Sequence, residues 1–178
     1  LEVLLLVLFL AIAFVVAVTL AQRSEPLQPG VSMPAISLRD QTGADFVTDN
    51  RAQFLILVFL PRDENSRCLT EVREFESRRA QFEQMGAALA FVSVHDVPSQ
   101  AGFHRAHAMT IPLLADANGN LSRAFGTIID FFVYRFAKRT TYVCQNGTIR
   151  KTYLVVEPKG HAGVVLDDLT AMSTTQRG

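Results

Sequence analysis

The chain has 178 residues, with 17 basic and 17 acidic side chains and a formal net charge of zero. It has no basic stripe and no interleaving of aromatic and basic residues, which argues against nucleic acid as a partner. Its two cysteines are too few for a disulfide scaffold, so a hydrophobic core must hold the fold.

The first 21 residues differ from the rest. Val3 to Ala21 carries no charge and one polar residue, Thr19. Nineteen helical residues nearly cross a hydrocarbon core of roughly 30 Å. The segment reads as a membrane anchor or as a secretory signal peptide, with a buried soluble helix as the third alternative. No basic residue precedes it, as a signal peptide would require, whereas Thr19-Leu20-Ala21 offers small residues suited to cleavage. Either main reading places residues 22–178 outside the cytoplasm, tethered to a membrane or secreted. Residues 22–30, with Pro26 and Pro29, read as a linker.

Further along, Met33 to Leu38 reads as a short edge element. Asp40-Gln41-Thr42-Gly43 is a turn, and Asp45-Phe46-Val47 a return strand. Residues 54–60 are apolar without a break, the pattern of a central strand covered on both faces. Thr70 to Met85 is an amphipathic helix ended by Gly86, and Ala87 to Val94 a second central strand. A helix over Ser99 to Ala108 follows, then an extended piece at Ile111 to Ala115, where Pro112 disfavours a central position. A turn at Asn118-Gly119-Asn120 leads into a short helix, Leu121 to Phe125. Ile128 to Phe136 is a short aromatic cluster, either core or a surface that meets a membrane or a second subunit. A hairpin around Asn146-Gly147 joins Thr140–Cys144 to Thr148–Val156. A last helix, Ala162 to Leu169, precedes a frayed tail at 171–178. Strands alternating with helices give a three-layer α/β domain over residues 31–170, with a central mixed β-sheet flanked by helices.

Cys68 follows the first central strand and precedes its helix. Unpaired N–H groups at a helix start favour a thiolate over a thiol. The polar run Arg62, Asp63, Glu64, Asn65, Ser66 and Arg67 argues for a partly exposed, reactive cysteine rather than a core one. Cys144, on a strand, reads as a structural thiol. His95, His104, His107 and His161 lack the spacing of a metal site and read as surface or capping residues.

The run from Phe59 to Glu71 resembles the peroxidatic segment of peroxiredoxins of the AhpC/TSA family, closest to the bacterioferritin-comigratory (PrxQ) branch. The family pattern Pro-x-x-x-Thr/Ser-x-x-Cys is met here as Pro61-x-x-x-Asn65-x-x-Cys68. Met33 to Leu38, Phe91 to Val94, Ile111 to Asp116, Arg139 to Val143 and Lys159-Gly160-His161-Ala162 fit in order. The resemblance implies a thioredoxin-like fold, preceded here by one N-terminal hydrophobic helix. It implies a peroxidase that needs no metal or organic cofactor. Cys68 would attack the peroxide and become a sulfenic acid. Arg139 would steady thiolate and peroxide, Pro61 would shape the loop, and Glu71 would orient the arginine.

Two departures stand out. Asn65 replaces the family's hydroxyl residue, and an amide is larger and lacks a rotating O–H. Arg73 stands where much of the branch has a resolving cysteine. The chain therefore reads as a one-cysteine enzyme reduced by an external thiol, such as that of a thioredoxin-like protein, and a homodimer is conceivable through the aromatic cluster. The rival readings are a non-catalytic thioredoxin-fold scaffold at a membrane and a thiol–disulfide oxidoreductase.

Overall fold

The computed structural model describes residues 2–21, 25–48, 52–61, 66–131, 134–154 and 157–175. The main sheet is built on β1 (Phe54–Leu60), every residue of which is buried. Period-two alternation splits this apolar run between two cores. Phe54, Ile56, Val58 and Leu60 face one side, and Leu55, Leu57 and Phe59 the other. On one flank β1 pairs in parallel with β2 (Ala87–Ser93), which pairs in parallel with β3 (Leu113–Ala115). On the other flank it pairs antiparallel with β6 (Thr140–Gln145), which turns back into β7 (Thr148–Leu154). The order is β3-β2-β1-β6-β7. The mixed sheet is as expected from the sequence, and Pro112 stands just before the edge strand β3.

The crossover from β1 to β2 is α2 (Ser66–Gln84). Its residues Cys68, Glu71, Val72 and Phe75 recur at helical spacing and are buried against the sheet. Phe75 stacks on Phe82 at 5.6 Å between ring centroids and meets Phe91 of β2 edge-on. The last helix, α5 (His161–Thr175), packs beside α2, with Val165 and Leu169 in the same core. It runs past the predicted end at Leu169 because Met172 also packs against that core.

The opposite face is covered by the short α4 (Asn120–Ala124) with Phe125, and by an extended N-terminal stretch carrying Leu27, Met33, Ile36 and Leu38. That stretch is held by backbone bonds: Leu27 N–H to Phe125, Gly30 N–H to Ile149 and Met33 N–H to Gly147. In place of the edge strand expected at 33–38 it forms isolated bridges, Ser32 to Thr148 and Arg39 to Ala115, and the return expected at 45–47 is reduced to the antiparallel bridge of Asp45 with Arg39, with the Phe46 amide donating to Leu38. Up to Met33 its backbone bonds reach mainly across the domain, and only around the Asp40 turn does it pair locally. The Asp40 turn is as expected, with the carboxylate accepting from the Thr42 amide at 2.7 Å.

Between β2 and β3 runs α3 (Val97–Ala106), capped by the Asp96 side chain accepting from the Ser99 amide. The aromatic stretch forms a separate two-stranded sheet, β4 (Ile128–Phe131) with β5 (Tyr134–Ala137). It divides between the two readings: Ile128 and Ala137 are buried, while Ile129 and Tyr134 are exposed. At the β6–β7 turn Asn146 and Gly147 both adopt positive φ, as a two-residue hairpin of this type demands.

Ahead of the domain lies α1 (Glu2–Ala21). The membrane-anchored or secreted placement read from this segment is corrected here. Among the described residues no helix is long and apolar enough to cross a membrane. The extracytoplasmic location and the membrane contact through residues 3–21 rested on that segment and fall with it.

Candidate active site

Strand register builds the site. Phe59 of β1 lies opposite Thr140 of β6. One step further out, at the carboxyl end of β1, Arg139 therefore stands beside the chain that leaves Leu60 for Pro61. The same end of β1 feeds the start of α2, so the first turn of α2 and Arg139 converge above one strand end. Pro61 is half-buried at the exit of β1. Asn65, with Arg62, Asp63 and Glu64, lies outside the described residues.

The Arg139 guanidinium is shared. Nη2 donates to Cys68 Sγ at 3.4 Å, and Nη1 donates to Glu71 Oε2 in an ion pair. A planar fork contacts two acceptors in this way where an ammonium would serve as a point charge. Cys68 and Glu71 are three residues apart on α2 and so lie on one face. Both expose none of their surface, and the Arg139 side chain is 10 % exposed.

The expected partial exposure of Cys68 is therefore corrected. The polar run 62–67 suggested a wetted thiol, but α2 begins at Ser66 and turns Cys68 onto the stripe that continues into Val72 and Phe75. Cys68 is buried beside the Arg139 cation. Burial pushes the Glu71 carboxyl up to about 7, against the opposing charge and hydrogen bond of Arg139 and the weaker pull of Arg67. Arg67 itself pairs with Glu157 at the surface, at 3.1 Å.

Behind Arg139 lies a residue whose setting the sequence did not reveal. His161, read as a surface or capping histidine, is buried at the start of α5. Its Nε2 is 2.9 Å from the Thr141 hydroxyl, two residues along β6 from Arg139. The ring meets Phe75 and Tyr153 edge-on. Burial, reinforced by the charge of Arg139, lowers its pKa to about 4. The only sequence signal was the Lys159-Gly160-His161-Ala162 resemblance. His107 does cap α3, as expected of a capping histidine. His95 Nδ1 meets the Ser93 hydroxyl at 2.8 Å.

Cys144 lies elsewhere. It points into the core on the face of the sheet opposite to Cys68. It is five positions along the chain from Arg139, about 17 Å of extended backbone. Burial raises its thiol pKa to about 12. Neither cysteine is in a disulfide. Arg73, at the position of the branch's helical resolving cysteine, is exposed. Among the described residues no group of three or more His, Cys, Asp or Glu side chains could hold a metal ion.

A family model described as the AhpC/TSA family matches residues 29–155. Peroxiredoxin Bcp of Xanthomonas campestris is 28 % identical over 123 residues, 66 % of this chain and 77 % of its own. A crystal structure of Xylella fastidiosa PrxQ, as a cysteine-to-serine mutant, matches with a TM-score of 0.76 at 27 % identity, covering 84 % of this chain and 99 % of its own. The bacterioferritin comigratory protein of Xanthomonas campestris, in a crystal structure concerned with its alkyl peroxide reduction activity, matches at 0.73 and 26 % identity, covering 82 % and 99 %. With a cysteine, an arginine and a carboxylate gathered above the strand end of the same thioredoxin-like fold, the chain belongs to the AhpC/TSA family, as a thiol-dependent peroxidase of the Bcp and PrxQ kind.

Proposed function

We propose that Cys68 is the peroxidatic nucleophile, that Arg139 is its electrostatic partner, and that the sulfenic acid formed is reduced by an external thiol. The observation that carries this reading is the 3.4 Å contact from Arg139 Nη2 to the buried Cys68 Sγ. In low dielectric a fixed guanidinium favours the thiolate and donates to charge developing on the peroxide oxygens. The thiolate attacks the terminal peroxide oxygen. The O–O bond breaks, the sulfur keeps the OH group, and the other oxygen leaves as an alkoxide or hydroxide that takes up a proton. Two equivalents of an external thiol then return Cys68 to the thiol, releasing water and the reductant's disulfide. Glu71 holds the guanidinium in place, and Pro61 turns the chain away from β1 above it.

The one-cysteine cycle is supported by the place of Cys144 on the far face of the sheet and by Arg73 on α2. Hydrogen peroxide and organic hydroperoxides are the proposed substrates, the latter by likeness to the alkyl peroxide activity of the Xanthomonas relative. The reductant is a thioredoxin-like protein or another small dithiol.

The test is stopped-flow oxidation of the reduced chain by one equivalent of peroxide, with intact mass at the end. We expect a fast gain of one oxygen that Cys68→Ser abolishes and Arg139→Ala slows by about 100-fold or more. Oxidation of Cys68→Ser at the parent rate would remove the nucleophile assignment. An unchanged rate in Arg139→Ala would remove the electrostatic one.

A further inference from the structure

Two acids face one cation in this site. Arg139 divides its two terminal nitrogens between Cys68 Sγ and Glu71 Oε2, and all three side chains are withdrawn from water. One positive charge neutralises one anion, so a thiolate and a carboxylate held together here would leave an uncompensated negative charge in low dielectric. The carboxyl also shows where a proton belongs. Glu71 Oε2 receives Arg139, whereas Glu71 Oε1 is buried with no hydrogen-bond partner. A bare carboxylate oxygen without a donor is costly, while a protonated carboxyl needs fewer donors.

Resting on the peroxidase reading of Cys68, we propose that Glu71 and Cys68 share a single proton under the charge of Arg139. Glu71 takes the thiol proton in the resting enzyme and supplies it to the oxygen that leaves the peroxide. The resting site holds Cys68 as thiolate, paired with Arg139, and Glu71 as neutral acid. The thiolate attacks ROOH, the S–O bond forms and the O–O bond breaks. The Glu71 proton passes to the leaving RO⁻, directly or over one water. Thiolate, neutral acid and peroxide become sulfenic acid, carboxylate and alcohol, with one negative charge before and after. Arg139 keeps one anionic partner throughout, first sulfur and then the Glu71 carboxylate. The upward displacement of the Glu71 carboxyl agrees with this arrangement. Among the described residues, the other charged or titratable groups acting on the pair are Arg67 on α2, whose cation also favours the carboxylate, and His161 on α5, which is neutral above about pH 4.

The balance makes a countable forecast. In a weakly buffered solution at pH 6, with an indicator dye, one turnover of the full chain by one equivalent of peroxide takes up no proton from solvent. Glu71→Gln keeps an oxygen to accept from Arg139 but carries no proton to give. It should take up one proton per Cys68 oxidised while keeping its thiolate absorbance. Its rate should fall by about 100-fold for alkyl hydroperoxides with basic leaving groups, and less as the leaving group becomes more acidic. A second readout needs no variant. Infrared difference spectra of the unaltered chain should show a protonated-carboxyl band in the reduced form that vanishes on oxidation.

Proton uptake by the unaltered chain equal to that of Glu71→Gln, or a carboxyl band absent from the reduced form, would overturn the proposal while leaving Cys68 as a peroxidase nucleophile. Failure of the unaltered chain to gain an oxygen at Cys68 would instead remove the peroxidase reading beneath it.

Discussion

At the scale of the residue, the site sets two buried titrations against each other. His161 has a lowered pKa of about 4 against an ordinary 6.5, so the unfolded chain binds that proton first as the pH falls. Its contribution therefore weakens the fold progressively from about pH 6.5 down to about pH 4. Glu71, raised from 4.5 to about 7, works the other way: the folded chain binds its proton first, and stability is lost as pH rises through that window. His161→Gln keeps a polar group facing Thr141 and removes the first titration. In urea unfolding at pH 4.5, 5.5 and 6.5, the variant should lose less stability on acidification than the parent chain, and a parallel pair of curves would mean that His161 is not buried as a neutral ring. Composition and spacing alone announce neither residue; the family resemblance supplied Glu71 as the acid that orients Arg139. A glutamate in a first helical turn reads as a solvated favourable charge, and only the shared stripe with Cys68 and Phe75 buries it. A histidine after a glycine reads as a helix cap, and its contact with Thr141 joins residues 20 apart in the chain.

At the scale of the element, what was legible is what local pattern determines. The unbroken apolar run at 54–60 specified β1 to the residue, and Asn146-Gly147 specified the hairpin turn. Cys68 was placed at a strand–helix junction by spacing alone, but its pairing with Arg139 was not readable without the family resemblance, because they are 71 positions apart in the chain. The stretch from 25 to 38 was misread for a related reason, since its partners lie far along the chain. Gly126 shows how closely that stretch is fitted. It has φ +70°, and a Cβ there would run into the backbone of Glu25 and Pro26. Gly126→Ala should cost at least about 2 kcal/mol, from left-handed strain and from displacement of the strap. The measurement is the midpoint of chemical unfolding, and an unmoved midpoint would mean that residues 25–27 do not rest on α4.

At the scale of the whole molecule, the sheet divides the chain into two cores with one cysteine in each. The layered architecture followed from alternating element types, whereas the allotment of the cysteines to opposite faces depended on the register of β6 against β1. That partition has a consequence for endurance under stress. In the proposed one-cysteine cycle, a sulfenic acid at Cys68 has no thiol of Cys144 to close onto and stays exposed to a second peroxide molecule until a reductant arrives. Overoxidation to the sulfinic acid is irreversible without dedicated repair. Raising peroxide at fixed reductant should therefore convert Cys68 into a form two oxygens heavier, in proportion to dose, and raising the reductant should protect it. Under that cycle, the placement of one strand makes the working life of each molecule a race between oxidant and electron donor.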